Sequence, residues 1–139
     1  MEILVLYKDK YKIGAIGNCD SCEPIDCLME LNANYQACAD GLFELLDRIS
    51  KEGLADISTK LSRRVDENEN IWELRKGDLR LFYFKTEDDF LIICTSALIK
   101  KTQNVDLKHV KRAIRFKHSY LNAVKQRTLI VIEENVNGD

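Results

Sequence analysis

The chain has 139 residues, 45% apolar and 32% charged, the composition of a globular domain rather than of a disordered or membrane-embedded segment. No apolar run approaches a membrane span. The start, MEILVLYKDK, is too short in apolar residues and lacks the basic lead of a signal peptide, so a cytoplasmic location with reduced cysteines is expected.

The formal net charge of −2 conceals a division. Trp72 to Arg127 holds thirteen Lys or Arg and six Asp or Glu, a balance of +7; the remainder holds eight and seventeen, a balance of −9. From Leu98 to Arg127 there are nine basic residues and one acid, Asp106. A one-sign block that follows an apolar run points to an anionic partner, nucleic acid first. A solvated helix face is the alternative.

In chain order, Glu2 to Tyr7 (EILVLY) reads as a short buried strand, and KIGAI as its hairpin partner. Residues 17–23 are turn-like, and EPIDCLMEL carries Pro24 where a helix's first turn accepts it. A helix follows over about Ala33 to Lys51: Tyr35, Cys38, Ala39, Leu42, Phe43, Leu46 and Ile49 form one apolar stripe, and Gly53 can end it. STKLSRRVDENEN is a polar connection with room for a short strand. The period then changes to two. Ile71 to Arg75, Leu79 to Lys85 and Phe90 to Leu98 read as three strands joined by turns at residues 76–78 and 87–89, hence an antiparallel meander. A second long helix is expected over about Asp106 to Leu121, capped by Asp106, with Leu107, Val110, Ala113, Ile114 and Leu121 inward and its cations mainly outward. The tail, from about residue 128, has one more apolar run, a candidate edge strand before a frayed end. The pattern is α+β in a single domain spanning 1–139: a mainly antiparallel (mixed) sheet with the N-terminal helices on one face, the other face partly free, and a basic C-terminal helix.

The cations of the meander fall into register. Glu73 and Arg75 share a strand face, as do Arg80, Phe82 and Phe84. A tight hairpin can bring Arg75 near Arg80, and the third strand can deliver Lys100 and Lys101 to the same margin. Such a patch suits RNA phosphate: Arg offers a planar fork, Lys a compact charge. Cleavage by an internal 2′-hydroxyl needs the phosphate held in line, stabilisation of the charge on its oxygens, and proton transfer. The plainer reading pairs Arg75 with Glu73 or Asp78 and leaves the lysines solvated. Adjacent lysines on a strand point to opposite sides, and the pattern does not choose between them.

Trp72-Glu73-Leu74-Arg75, then Arg80 with Tyr83 and Phe84, then Lys100-Lys101-Thr102-Gln103, then Val110, Ala113 and Tyr120, resemble in order and spacing the RelE/HigB-like toxins of type II toxin–antitoxin systems, specifically their phage-derived HigB-like branch. FELLDRISKEG resembles the family's earlier helix and its terminal glycine. The resemblance covers about residues 27–121. It implies a RelE-like fold and a metal-independent endoribonuclease, without cofactor, that cleaves mRNA on translating ribosomes and is neutralised by a cognate helix-turn-helix (HigA-like) antitoxin. Arg80 matches the strand arginine at the scissile phosphate, and Arg75 is a second cation beside it. Lys100 and Lys101 stand where the family places basic residues after its last strand. Thr102 and Gln103 complete that motif as candidate RNA contacts, with Lys108, Lys111, Arg112 and Arg115 of the basic helix. A non-catalytic RNA- or protein-binding module on the same fold is the alternative.

His109 and His118 are nine apart on the last helix, and the simpler reading of both is a solvated helix histidine. Cys19-x-x-Cys22 with Cys27 and Cys38 has the makings of a zinc site, but Cys27 and Cys38 fall on apolar helix faces, where cysteine is an ordinary small hydrophobe. A zinc-stabilised interaction domain is therefore the weaker third reading. Cys94 is expected in the core.

Overall fold

The structure, a computed structural model, describes residues 1–102 and 106–133. Its elements are β1 (Glu2–Lys8), β2 (Lys12–Ile16), α1 (Glu23–Met29), α2 (Ala33–Glu52), β3 (Ser62–Asp66), β4 (Ile71–Lys76), β5 (Leu79–Lys85), β6 (Phe90–Ile99), α3 (Leu107–Gln126) and β7 (Ile130–Ile132). The seven strands form one mixed sheet in the order β3-β4-β5-β6-β2-β1-β7, with β2–β6 and β1–β7 parallel and the other pairs antiparallel. The fold is α+β, as expected. The polar connection contributes β3, and the tail run adds edge strand β7 beside β1.

Helix α2 starts at Asn32, whose side chain accepts from Asn34 N, and ends at Gly53, whose φ of +83° places it where glycine is favoured. Its buried Leu42, Leu45, Leu46 and Ile49 pack with Leu74, Leu81, Tyr83, Ile92 and Cys94 of the sheet. Each such fully buried aliphatic side chain contributes about 1.5–3 kcal/mol. β2 pairs with β6 only as far as Cys94. Helix α1 packs against the rest of β6, and Cys27 Sγ donates to Ala97 O at 3.5 Å.

The second face is less free than the sequence suggests, because α3 covers it. Asp106 caps α3 by accepting from His109 N. The buried stripe is Val110, Ala113, Tyr120 and Ala123, and Tyr120 packs with Ile3, Ile71, Phe84, Phe90 and Ile93. Leu107 and Leu121, expected inward, are exposed. A single aromatic at Tyr120, its ring 5.6 Å from that of Phe84, sets the helix's rotation over them. Among the described residues no helix is long and apolar enough to cross a membrane.

One irregularity positions the site. Phe84 pairs with Ile93 and Tyr83 with Cys94, but Phe82 pairs with Ser96. Thr95 is the extra residue of a β-bulge, its Oγ1 donating to Phe82 O at 3.3 Å. A bulge shifts the alternation of faces by one. Ser96 and Leu98 therefore lie on the α3 face opposite Phe82 and Arg80, and Lys100, two residues beyond Leu98, follows them.

Candidate nucleic-acid interface

Two cross-strand rows on the α3 face build the site. In the first, Arg75 on β4 is the direct partner of Arg80 on β5, which is the partner of Leu98 on β6. In the second, Arg63 on β3 pairs with Glu73, Glu73 with Phe82, and Phe82 with Ser96. Beyond the first row, Lys100 N donates to Asp78 O at 2.7 Å, continuing the β5–β6 pairing into the turn. A cleft of about 290 Å³ opens there, lined by Arg63, Arg75, Asp78, Arg80, Lys100, Lys101 and Thr102.

Arg80 is the most constrained cation. Its side chain is 11% exposed; Nη1 donates to Gly77 O and to Leu79 O, both at 2.8 Å, and Nε faces Glu73 Oε2 at 3.5 Å. Burial, then the Arg75 charge, push its pKa below the ordinary arginine value, while Glu73 opposes the shift. The guanidinium remains charged near neutrality. Glu73 Oε2 also stands 3.6 Å from Arg75 Nε and 3.6 Å from Arg63 Nη2. Lys100 is 9% exposed, and among the described residues its buried Nζ has no hydrogen-bond partner. A sealed, unpartnered ammonium is costly, and an anion in the cleft would relieve it.

Of the residues singled out in the sequence, Arg75, Arg80, Lys100, Lys101 and Thr102 come together in the cleft. Lys100 is buried and Lys101 exposed. Gln103 lies outside the described residues. Lys108, Lys111, Arg112 and Arg115 do not line the cleft; Arg112 instead pairs with Glu23 of α1, and the other three are exposed on α3. Arg63 is a further cleft cation, from a stretch whose sequence does not single it out. Its only signal was the Arg63-Arg64 pair in a segment read as a connection.

Of the two histidines, His118 is exposed on the helix as expected, and His109 is not. His109 stacks on Phe82 with ring centroids 5.4 Å apart, and its Nδ1 lies 2.7 Å from Ser96 Oγ. Burial lowers its pKa, so it is neutral at pH 7. It covers the second row and does not line the cleft. His118 faces Glu69 at 2.6 Å, on the turn between β3 and β4. Cys22 and Cys94 are buried in the α1–α2 core, with Cys27 and Cys38 against it. Among the described residues no three His, Cys, Asp or Glu side chains are grouped as metal ligands would be.

A comparison with curated proteins finds no match. A protein-family profile, Phage derived protein Gp49-like (DUF891), matches residues 26–117, which run from α1 through most of α3 and include every residue of the cleft. By that match the chain belongs to the phage-derived Gp49-like family, which is associated with the toxins of toxin–antitoxin systems.

Proposed function

We propose that the protein is the toxin of a type II toxin–antitoxin system, an mRNA endonuclease acting on translating ribosomes in the cytoplasm and held inactive by a helix-turn-helix antitoxin of the HigA-like kind. The observation that carries this reading is the cleft cation set: the buried Lys100 ammonium, without a hydrogen-bond partner among the described residues, beside Arg63, Arg75 and Arg80. Four cations on three strands and a bulged fourth form a rigid cradle for a phosphodiester. Arg80, held by two carbonyls and Glu73, keeps its fork pre-oriented, and Lys100 supplies charge where a pentacovalent phosphate gains it. The 2′-oxygen attacks the adjacent phosphorus as its proton passes to water, the bond to the 5′-oxygen breaks, and that oxygen leaves as a hydroxyl after taking a proton from water; the cleft cations, without a metal, stabilise the charge between.

The test is induced expression of the chain, with translation and mRNA ends followed over time. Translation arrest with new cleavage ends, abolished by Arg80→Ala, is expected. Intact mRNA and undisturbed translation in the wild type would sink the reading.

One observation favours the alternative, a non-catalytic RNA-binding module. Among the described residues, the cleft is lined by cations, Thr102 and a single carboxylate, Asp78, with no histidine to exchange a proton. Purified protein that retains RNA but never cuts it, with ribosomes present, would select that reading.

A further inference from the structure

We infer that Glu73 is a positioning residue of the cleft: the shared counter-charge that holds Arg63, Arg75 and Arg80 in a fixed fan beneath the phosphate. This rests on the reading of the cleft as the site of RNA cleavage.

Three features lead there. Glu73 is 1% exposed, and among the described residues neither carboxylate oxygen has a hydrogen-bond partner. One of those oxygens faces three guanidinium nitrogens from three different strands, at 3.5, 3.6 and 3.6 Å. Two of the three arginines, Arg75 and Arg80, are direct cross-strand partners, an arrangement that repels without an opposite charge. A carboxylate used only to stabilise the fold would be expected to have close hydrogen bonds, because a buried charge without them is costly. Here the same oxygen is shared at a distance by all three cations. That arrangement orders the arginines without using up the donors a phosphate needs. Glu73 does not itself line the cleft, and its Oε2 faces the three guanidinium groups, so it is not placed to take the proton of a 2′-hydroxyl. It acts through the arginines.

The inference gives opposite signs for binding and turnover. Glu73→Gln removes one negative charge from under the cleft, so an anion is held more tightly, while the fan loses its common anchor. Binding is read with a 2′-O-methyl oligoribonucleotide, which cannot be cut. Turnover is read on ribosomes translating an mRNA of the same sequence. E73Q is expected to bind about threefold more tightly at low salt, with the gain lost at high salt. Its kcat is expected to fall on the order of 10²-fold, the effect of misplacing groups by about an ångström. Glu73→Asp keeps the charge at shorter reach and should restore part of kcat.

An independent readout is the exchange of the arginine Nε–H protons in nitrogen-15 NMR. Protection of Arg75 and Arg80 should be lost in E73Q and partly kept in E73D. Should E73Q not fold, E73D carries the same comparison against wild type. Unchanged protection with unchanged kcat overturns the inference. So does a loss of binding and turnover together in step with thermal stability, which marks a purely structural role. A wild-type chain that cuts no mRNA sinks the nuclease reading alone, and the NMR arm then decides the role of Glu73.

Discussion

Arg75 and Arg80 face each other directly across β4 and β5, and both point a guanidinium Nε at Glu73 Oε2. Of the two, Arg80 is the more tightly fixed, because Gly77 O and Leu79 O hold its Nη1. A lysine at this position can reach neither two carbonyls and a carboxylate at once nor a phosphate in a defined plane. Arg80→Lys should therefore fail nearly as badly as Arg80→Ala, with cleavage down by about 10²–10³-fold for each. Arg80→Ala should also cost about 1–3 kcal/mol of stability, since Glu73 loses its closest partner. Cleavage assays beside denaturant melts check both. A lysine variant with near-native activity would mean that charge alone, without orientation, serves the site.

Lys100 and Lys101 separate activity from stability. Lys100→Met removes a buried ammonium that has no hydrogen-bond partner among the described residues. It should raise stability by about 1–3 kcal/mol while lowering cleavage by about 10²-fold. Lys101→Met removes an exposed charge at the cleft rim and should leave stability within about 0.5 kcal/mol and weaken RNA affinity modestly. Equal effects of the two substitutions would contradict the buried placement of Lys100.

The choice between these lysines was hidden in the sequence for a definite reason. Strand alternation alone puts Ile93 and Lys100, seven residues apart, on opposite faces. The bulge at Thr95 reverses that parity, and nothing in FLIICTSALI announces where an extra residue will sit. The strands themselves were legible, because β4, β5 and β6 are apolar runs bounded by Gly77 and by the acidic turn. So was the Arg75–Arg80 pairing, which follows from a two-residue connection. Arg63 was not legible: β3 is a polar edge strand whose existence depends on pairing with β4 rather than on its own pattern. The burial of Glu73 was equally out of reach, since it arises from Phe82 and the arginines of neighbouring strands. The rotation of α3 departs from its apolar periodicity because Leu107 and Leu121 are apolar yet exposed, and the aromatic at Tyr120 outweighs both.

The hairpin turn carrying the Arg80 anchor should be sensitive to a single methyl group. Gly77 has φ of +56°, and a Cβ there would meet Cys38 Sγ at 2.6 Å. Gly77→Ala incurs about 1–2 kcal/mol for the left-handed backbone and a further clash with α2. A total loss of about 2–3 kcal/mol is expected, with cleavage reduced because Gly77 O moves relative to Arg80. Cys38→Ala removes the sulfur. In that background Gly77→Ala should cost only the backbone part, a coupling measurable in a double-mutant cycle. Strict additivity of the two substitutions would show that α2 does not press on the turn.

Stability at alkaline pH should report the buried phenol of Tyr83. Burial pushes its pKa up to about 12, against a lowering by the hydrogen bond with Ser62 Oγ. The neutral form is thus favoured in the folded state, which keeps its proton where the unfolded chain gives it up. The stabilisation is complete below the unfolded value of about 10 and is lost as pH rises through about 12, at most about 2–3 kcal/mol for this group. Cys94 and Tyr120 are pushed in the same direction, mainly by burial, and add to the alkaline slope. Tyr83→Phe separates the contribution. At pH 8 it should be less stable by about 1 kcal/mol, through loss of the Ser62 bond. Between pH 10 and 11.5 its stability should fall less steeply than that of the wild type, by up to about 1.4 kcal/mol per pH unit, the slope of one proton. Urea melts of both proteins across that range measure the two slopes. Parallel curves would mean that the Tyr83 phenol ionises alike in the folded and unfolded chains.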